Sequence, residues 1–262
     1  SAEIKKELRG CRAEYSEITF TGGEPTLRPD FLDLVSFARK LGYTVQVQTN
    51  GRNFADKDFC REAVSVGASV FAISIHGHNA KLHDFLTGAP GSFNQSVSGI
   101  QNLLSLDKTV VTNTVINKLN YPYLPRLAHF LLSLGLTQYQ LAFPHILGNA
   151  VNNSASLVPR KSEVMDYVRV ALKIGLTNHA YPKTEAIPYC FLKGFEQCIA
   201  EKSTPETRVV DVETTESFLK WRKEEGKAKG KQCVRCRYFK VCEGPWREYP
   251  EIFGWSEFKP VL

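Results

Sequence analysis

Two sets of residues in this chain have the types and spacing to do chemistry. The first is Gly22-Gly23-Glu24-Pro25, directly after the strand-like run Glu17-Ile18-Thr19-Phe20-Thr21. Two glycines without Cβ let backbone amides and carbonyls approach a bound small molecule closely. Glu24 offers that molecule a carboxylate, and Pro25 stiffens the exit before Arg28-Pro29-Asp30 starts a helix. We read this as a ligand-binding turn, with a plain tight turn as the alternative.

The second set is Cys233-x2-Cys236-x5-Cys242, with Cys190 and Cys198 upstream. Closely spaced thiols of this kind point to a metal site. An iron-sulfur cluster is held by four thiolates, and an x2 spacing lets two of them reach it from one turn. The expected ligands are Cys190, Cys233, Cys236 and Cys242. Pro188-Tyr189 predicts an extended, exposed approach to Cys190, whereas Cys198 falls inside a predicted helix over 191–200. A four-cysteine zinc knot satisfies the same thiols. Disulfides are the weakest reading, because the chain has seven cysteines and no secretory segment. Cys11 and Cys60 lack partners at ligand spacing and read as structural residues.

These residues need a scaffold, and the periodicity supplies one. Strands are predicted over 18–20, 43–48, 69–75, 109–115 and 138–143, and helices over 31–40, 55–65, 92–106, 123–133 and 160–174. Alternation of this kind means βαβ units with parallel strands. In a parallel barrel the loops after the strands share one face, where active sites are built. Polar or small residues close every strand: the Gly-Gly-Glu-Pro turn, Thr49-Asn50-Gly51, His76-Gly77-His78, Asn113-Thr114 and Pro144-His145.

In order, spacing and strand position, Thr21-Gly22-Gly23-Glu24-Pro25, Gln48-Thr49-Asn50-Gly51 and Ser74-Ile75-His76-Gly77 resemble the radical S-adenosylmethionine (radical SAM) enzymes, over roughly residues 1–150. The segment 81–93 and its following helix are similar to the connection in the subgroup with extra C-terminal clusters. The resemblance implies an α/β fold, a partial (β/α)6 TIM-like barrel over residues 1–178, with a small cysteine-rich auxiliary-cluster domain over 179–262. It implies that Gly22, Gly23, Glu24 and Pro25 bind the methionine amino group of S-adenosylmethionine, Glu24 facing the ammonium. Thr49 and Ser74 would contact its methionine or ribose part, and Asn113 its ribose.

The family holds its catalytic 4Fe-4S cluster with Cys-x3-Cys-x2-Cys, and no such triplet occurs here. Residues 2–8 with Cys11 resemble the helix just after that loop, so the first strand and the cluster ligands are expected to lie outside this chain. The C-terminal thiols resemble SPASM domains and, with cysteines for only one auxiliary 4Fe-4S cluster, their one-cluster twitch form. The implied reaction is reductive cleavage of S-adenosylmethionine to a 5'-deoxyadenosyl radical that abstracts hydrogen from a peptide or small-molecule substrate. An electron donor such as flavodoxin or ferredoxin is then required. The rival reading is a non-catalytic barrel with a structural zinc site, serving as a binding or assembly subunit.

Composition agrees with this frame. A chain of 262 residues, 43% hydrophobic, suits one barrel plus an appendage. Its net charge of +6 is mild, and part of the excess lies in 220–240, read as a solvated connector whose cations also favour thiolates. No nucleic-acid motif accompanies that stretch, so nucleic acid is not an expected partner. No apolar run reaches about 18 residues, so no membrane partner is expected and a cytoplasmic location is. His76, His78 and His83 crowd one loop as candidate catalytic or loop-organising groups, and His145 is a similar case. Tyr121, Tyr139, Tyr181 and Tyr189 read as packing residues. A domain boundary is placed over 178–188, and a loop or hairpin over 201–215.

Overall fold

In the computed structural model, which describes residues 1–210 and 215–262, the predicted alternation is realised. Helix α1 (Ala2–Cys11) leads into β1 (Glu17–Phe20), followed by α2 (Phe31–Lys40), β2 (Thr44–Thr49), α3 (Lys57–Ser65) and β3 (Ala68–Ser74). Helices α4 (Ala80–Thr87) and α5 (Ser92–Ser105) precede β4 (Thr109–Val115), and α6 (Leu124–Ser133) precedes β5 (Gln138–Ala142). Two single-turn helices, α7 (Asn149–Asn152) and α8 (Ser154–Leu157), then lead to α9 (Lys161–Thr177) and β6 (Tyr181–Glu185). The six strands form one open sheet in chain order, with β1 through β4 paired in parallel. This is the α/β partial-barrel architecture expected.

Local chemistry explains the boundaries. The Asp56 side chain caps α3 by accepting from Asp58 N at 2.8 Å and Phe59 N at 3.1 Å. Asn79 caps α4 through Leu82 N at 3.0 Å. Asp84 then organises the 81–93 connection, taking the amides of Gly91 and Phe93 at 2.7 Å each and the Ser92 hydroxyl at 3.0 Å. These donors hold its carboxyl below the ordinary range, the Phe93 amide most of all.

The chain forms two compact units: residues 1–114 with 130–139, and residues 115–129 with 140–262. In the first, Val45 and Val47 of β2, Phe71 and Ile73 of β3, and Ile100 and Leu103 of α5 are buried, with Phe54 against Phe71 at 5.1 Å between ring centroids. In the second, Val164, Val168 and Leu172 form the buried stripe of α9, while Phe143 meets Tyr249 edge-on at 5.3 Å.

Three sequence readings are corrected. The sheet has six strands in this chain rather than five. Strand β6 was missed because Tyr181-Pro182-Lys183-Thr184-Glu185 lacks apolar alternation, and it falls within the 178–188 stretch read as a boundary. No helix spans 191–200: Gly194 at φ +82° breaks the run into three-residue 3-10 turns, Tyr189–Phe191, Glu196–Cys198 and Ala200–Lys202. The approach to Cys190 is extended at Pro188 but buried, since Pro188 and Tyr189 are both covered. Within the 201–215 loop or hairpin, β7 (Arg208–Val210) pairs antiparallel with β8 (Thr215–Ser217), and residues 211–214 lie outside the described residues.

Candidate functional site

The turn after β1 is built around one carboxylate. Glu24 Oε1 accepts the Thr26 amide (3.2 Å), the Thr26 hydroxyl (2.6 Å) and the Thr49 hydroxyl (2.7 Å), and Oε2 accepts the Asn50 amide (2.7 Å). Oε1 thus holds three of these donors and Oε2 one, so Glu24 bolts the turn after β1 to the end of β2 and keeps a lone pair on Oε2. Thr49 is equally engaged, its oxygen also accepting the Gly51 amide at 3.0 Å. Asn53 Nδ2 completes the brace on Thr26 Oγ1 at 3.0 Å. Thr26 and Asn50 were therefore site residues that sequence reasoning left without a role. Their part is played by a short hydroxyl and a main-chain amide, which no residue pattern marks.

The brace presents a bare backbone. Gly22 sits at φ +141°, which favours glycine, and a Cβ there would meet nothing within 4 Å. Gly23 is not in the left-handed region, and a Cβ on it would also meet nothing within 4 Å. The space over Gly23 is open, so a bound molecule can approach its backbone directly. Both glycines are exposed, while Pro25 beneath them is buried.

The remaining three residues stand side by side along the same sheet edge. Ser74 at the end of β3 is in register with Asn113 on β4, and Thr49 is in register with Ile73. Asn113 Oδ1 is buried and has no hydrogen-bond partner among the described residues. An orphaned acceptor of this kind costs stability unless a ligand or water donates to it. The open glycine turn and this unpaired acceptor fit a nucleoside that brings hydroxyl donors.

The histidine loop is organised inward. His83 is buried, and its Nδ1 accepts the His76 amide at 3.1 Å, with the two rings stacked at 5.9 Å. Burial, with His83 beside it, brings the His76 pKa down to about 4, so the ring is neutral at pH 7. His78 meets the Asn79 side chain at 3.1 Å. Of the four tyrosines, Tyr139 and Tyr189 are buried, Tyr121 packs on Tyr167, and Tyr181 is largely exposed.

In the second unit, Cys190, Cys233, Cys236 and Cys242 line one partly open cleft, walled also by Tyr189 and Lys229. Cys198 is buried elsewhere. Tight turns present the thiols: Cys233 N bonds Gly230 O, Cys236 N bonds Cys233 O, and Cys242 N bonds Tyr238 O, at 2.8–2.9 Å. Burial, reinforced by Cys242, Cys233 and Cys236, raises the Cys190 thiol to about 12. Burial raises Cys242 too, against the amides of Tyr189 and Gly244 and the charge of Lys229, all of which favour its thiolate. The Val261 amide points at Cys236 Sγ at 3.4 Å. The cleft thus sets burial, which disfavours thiolate, against amides aimed at sulfur and the charge of Lys229, which favour it. Among the described residues, no three His, Cys, Asp or Glu side chains converge as a single metal ion requires. Four thiols around one space are the donor set of either an iron-sulfur cluster or a four-cysteine zinc site. All seven cysteines are free, so no disulfide forms.

Behind the cleft lies a buried ion network. Arg222 grips Glu243 through Nε at 2.8 Å and Nη2 at 2.9 Å, and Lys227 pairs with Glu201 and lies 3.7 Å from Glu243. Glu201 also accepts the Ala186 amide at 2.8 Å. The network ties the loop of Cys242 to the segment before Cys190.

A sequence model described as the Radical SAM superfamily matches residues 1–131. An AdoMet-dependent heme synthase of Oleidesulfovibrio alaskensis is 32% identical over 143 residues, covering 54% of this chain and 36% of that protein. A PqqA peptide cyclase of Rhodopseudomonas palustris is 25% identical over 156 residues, 60% of this chain and 41% of the other. The chain thus spans well under half the length of these curated relatives. Among solved structures, Streptococcus suis SuiB bound to S-adenosylmethionine matches with TM-score 0.63 at 13% identity, over 93% of this chain and 65% of SuiB.

Proposed function

The chain belongs to the radical SAM superfamily, whose enzymes use S-adenosylmethionine with a 4Fe-4S cluster, and on that premise we propose that it acts in hydrogen abstraction from a peptide or small-molecule substrate. When bound, S-adenosylmethionine and the catalytic cluster supply a 5'-deoxyadenosyl radical that takes hydrogen from the substrate. We place the ligands of that cluster outside these 262 residues, and one auxiliary 4Fe-4S cluster on Cys190, Cys233, Cys236 and Cys242.

This chain's own residues position and shield. Glu24 holds the turn after β1 against β2. Gly22 and Gly23, whose backbone is open, would hold the methionine end of the cofactor, with the Glu24 carboxylate supplying the negative charge for its ammonium. Ser74 and Asn113, in register on adjacent strands, would hold the ribose, whose hydroxyls would satisfy Asn113 Oδ1. A peptide substrate is favoured by the relative named as a PqqA peptide cyclase.

One observation carries the proposal: an exposed glycine turn and an unpaired buried amide oxygen sit on the strand ends of the unit matched by the family. The test is anaerobic reduction of the natural full-length protein with S-adenosylmethionine, followed by mass spectrometry. Formation of 5'-deoxyadenosine and methionine is expected, lost in a Gly22→Val variant. Folded, iron-loaded protein that returns the cofactor intact would overturn the proposal.

A further inference from the structure

The loop after β2, which delivers two donors to Glu24, is itself held from α5. Ser96, buried on that helix, donates its hydroxyl to Asn50 O at 2.7 Å. A serine inside a helix commonly returns this hydrogen to a carbonyl of its own helix, whereas Ser96 reaches across to the loop. Asn50 C=O and Gly51 N–H belong to one planar peptide, and on the other side of it Gly51 N donates to Thr49 Oγ1 at 3.0 Å. A threonine hydroxyl has one hydrogen, which Thr49 gives to Glu24 Oε1 at 2.7 Å. Ser96, the 50–51 peptide, Thr49 and Glu24 therefore form one continuous hydrogen-bond chain, in which each donor polarises the next. One turn along α5 from Ser96 stands Gly99. A Cβ there would lie 2.3 Å from Gly51 O and 3.1 Å from Phe54 Cβ. Glycine is unfavourable inside a helix, and the close seat of the loop on α5 accounts for it here.

We propose that Ser96 and Gly99 are positioning residues for S-adenosylmethionine: they seat the 50–51 peptide on α5, so that Thr49 and Asn50 aim their donors at Glu24 and fix its carboxylate at the glycine turn. The proposal rests on reading that turn as the site of the cofactor's methionine end. Its physical content is a hydroxyl rotor. With Gly51 N–H on a lone pair of Thr49 Oγ1, the Thr49 hydrogen is left for Glu24. Without the Ser96 hydroxyl the 50–51 peptide is released on one side, and the Thr49 hydroxyl and the Asn50 amide lose their fixed direction. The same helix holds the same loop at a second place, which separates positioning from simple bracing. Asn102 Nδ2 donates to Phe54 O at 2.9 Å and to Ala55 O at 3.1 Å. The amides of those two peptides, Ala55 N and Asp56 N, return to Arg52 O and Asn53 O within the turn and pass nothing to Glu24.

The experiment uses the natural full-length protein, purified anaerobically with its iron content recorded. Calorimetry gives Kd for S-adenosylmethionine, formation of 5'-deoxyadenosine gives KM and kcat, and urea midpoints give stability. Ser96→Ala and Gly99→Ala should each raise Kd and KM by about tenfold or more and keep kcat within about threefold, the mark of lost uniform binding. Asn102→Ala, which strips two carbonyls of their donor, should lower the urea midpoint and leave Kd within about twofold. Wild-type affinity in Ser96→Ala, or a loss of affinity in all three variants that tracks their loss of stability, overturns the assignment. Gly23→Ala tells the two readings apart. Wild-type affinity in Gly23→Ala as well would mean that the turn is not the cofactor site, whereas weakened binding there beside wild-type affinity in Ser96→Ala and Gly99→Ala refutes the positioning role alone.

Discussion

Glu24 is the residue on which the site turns, and its geometry separates two roles that the sequence runs together. The Gly-Gly-Glu-Pro motif marks a carboxylate at a ligand-binding turn, and the structure shows that carboxylate already holding four donors. Glu24→Ala should therefore act first on stability, lowering it by about 1–3 kcal/mol in denaturant unfolding, because part-buried donors such as the Asn50 amide lose their partner. Gly23→Ala should do the opposite. With nothing within 4 Å of its Cβ, stability should stay within about 0.5 kcal/mol. Affinity for S-adenosylmethionine should nevertheless fall by about tenfold or more, and wild-type affinity in Gly23→Ala would remove the close-approach argument. His76 gives a pH signature. Its folded pKa of about 4 lies below the unfolded 6.5, so the unfolded chain takes up its proton first. The stability held by neutral His76 is complete above pH 6.5 and is lost as pH falls toward 4. Urea midpoints at pH 7 and pH 5 should differ less in His76→Asn than in the wild type.

At the scale of elements, legibility followed regularity. The βα alternation through β5 could be read because strands that bury one face alternate buried and less buried residues, as Val45 and Val47 flanking Gln46, or Phe71 and Ile73, show. Strand β6, with proline and lysine at its centre, could not be read, nor could the 3-10 turns around Cys190, where Gly194 and the burial of Tyr189 decide the path. The thiols were legible from spacing alone, but the network behind them was not. Arg222, Lys227, Glu201 and Glu243 look like solvated charges in the sequence and are almost wholly buried in the fold. Removing one partner of such a network strands the others. Lys227→Met should cost about 3–5 kcal/mol in equilibrium unfolding, and a change below about 1 kcal/mol would show that these charges do not brace the Cys242 loop.

The whole chain comprises a unit with the family's turn and strand-end residues and a unit with four cysteines around a cleft. Among the described residues no helix is long and apolar enough to cross a membrane. Family membership rests on the first half, whereas the chemistry proposed for the second rests on the cleft alone. Its content decides whether the second unit serves electron transfer or only architecture. The direct measurement is iron, sulfide and zinc per chain on this 262-residue protein purified anaerobically, with EPR of the reduced sample, beside Cys233→Ala with Cys236→Ala. The account predicts about four irons and four sulfides per chain, an EPR-active reduced cluster, and loss of both in the double variant. One zinc with no iron, in a well-folded protein, would contradict it and make the cleft a structural knot.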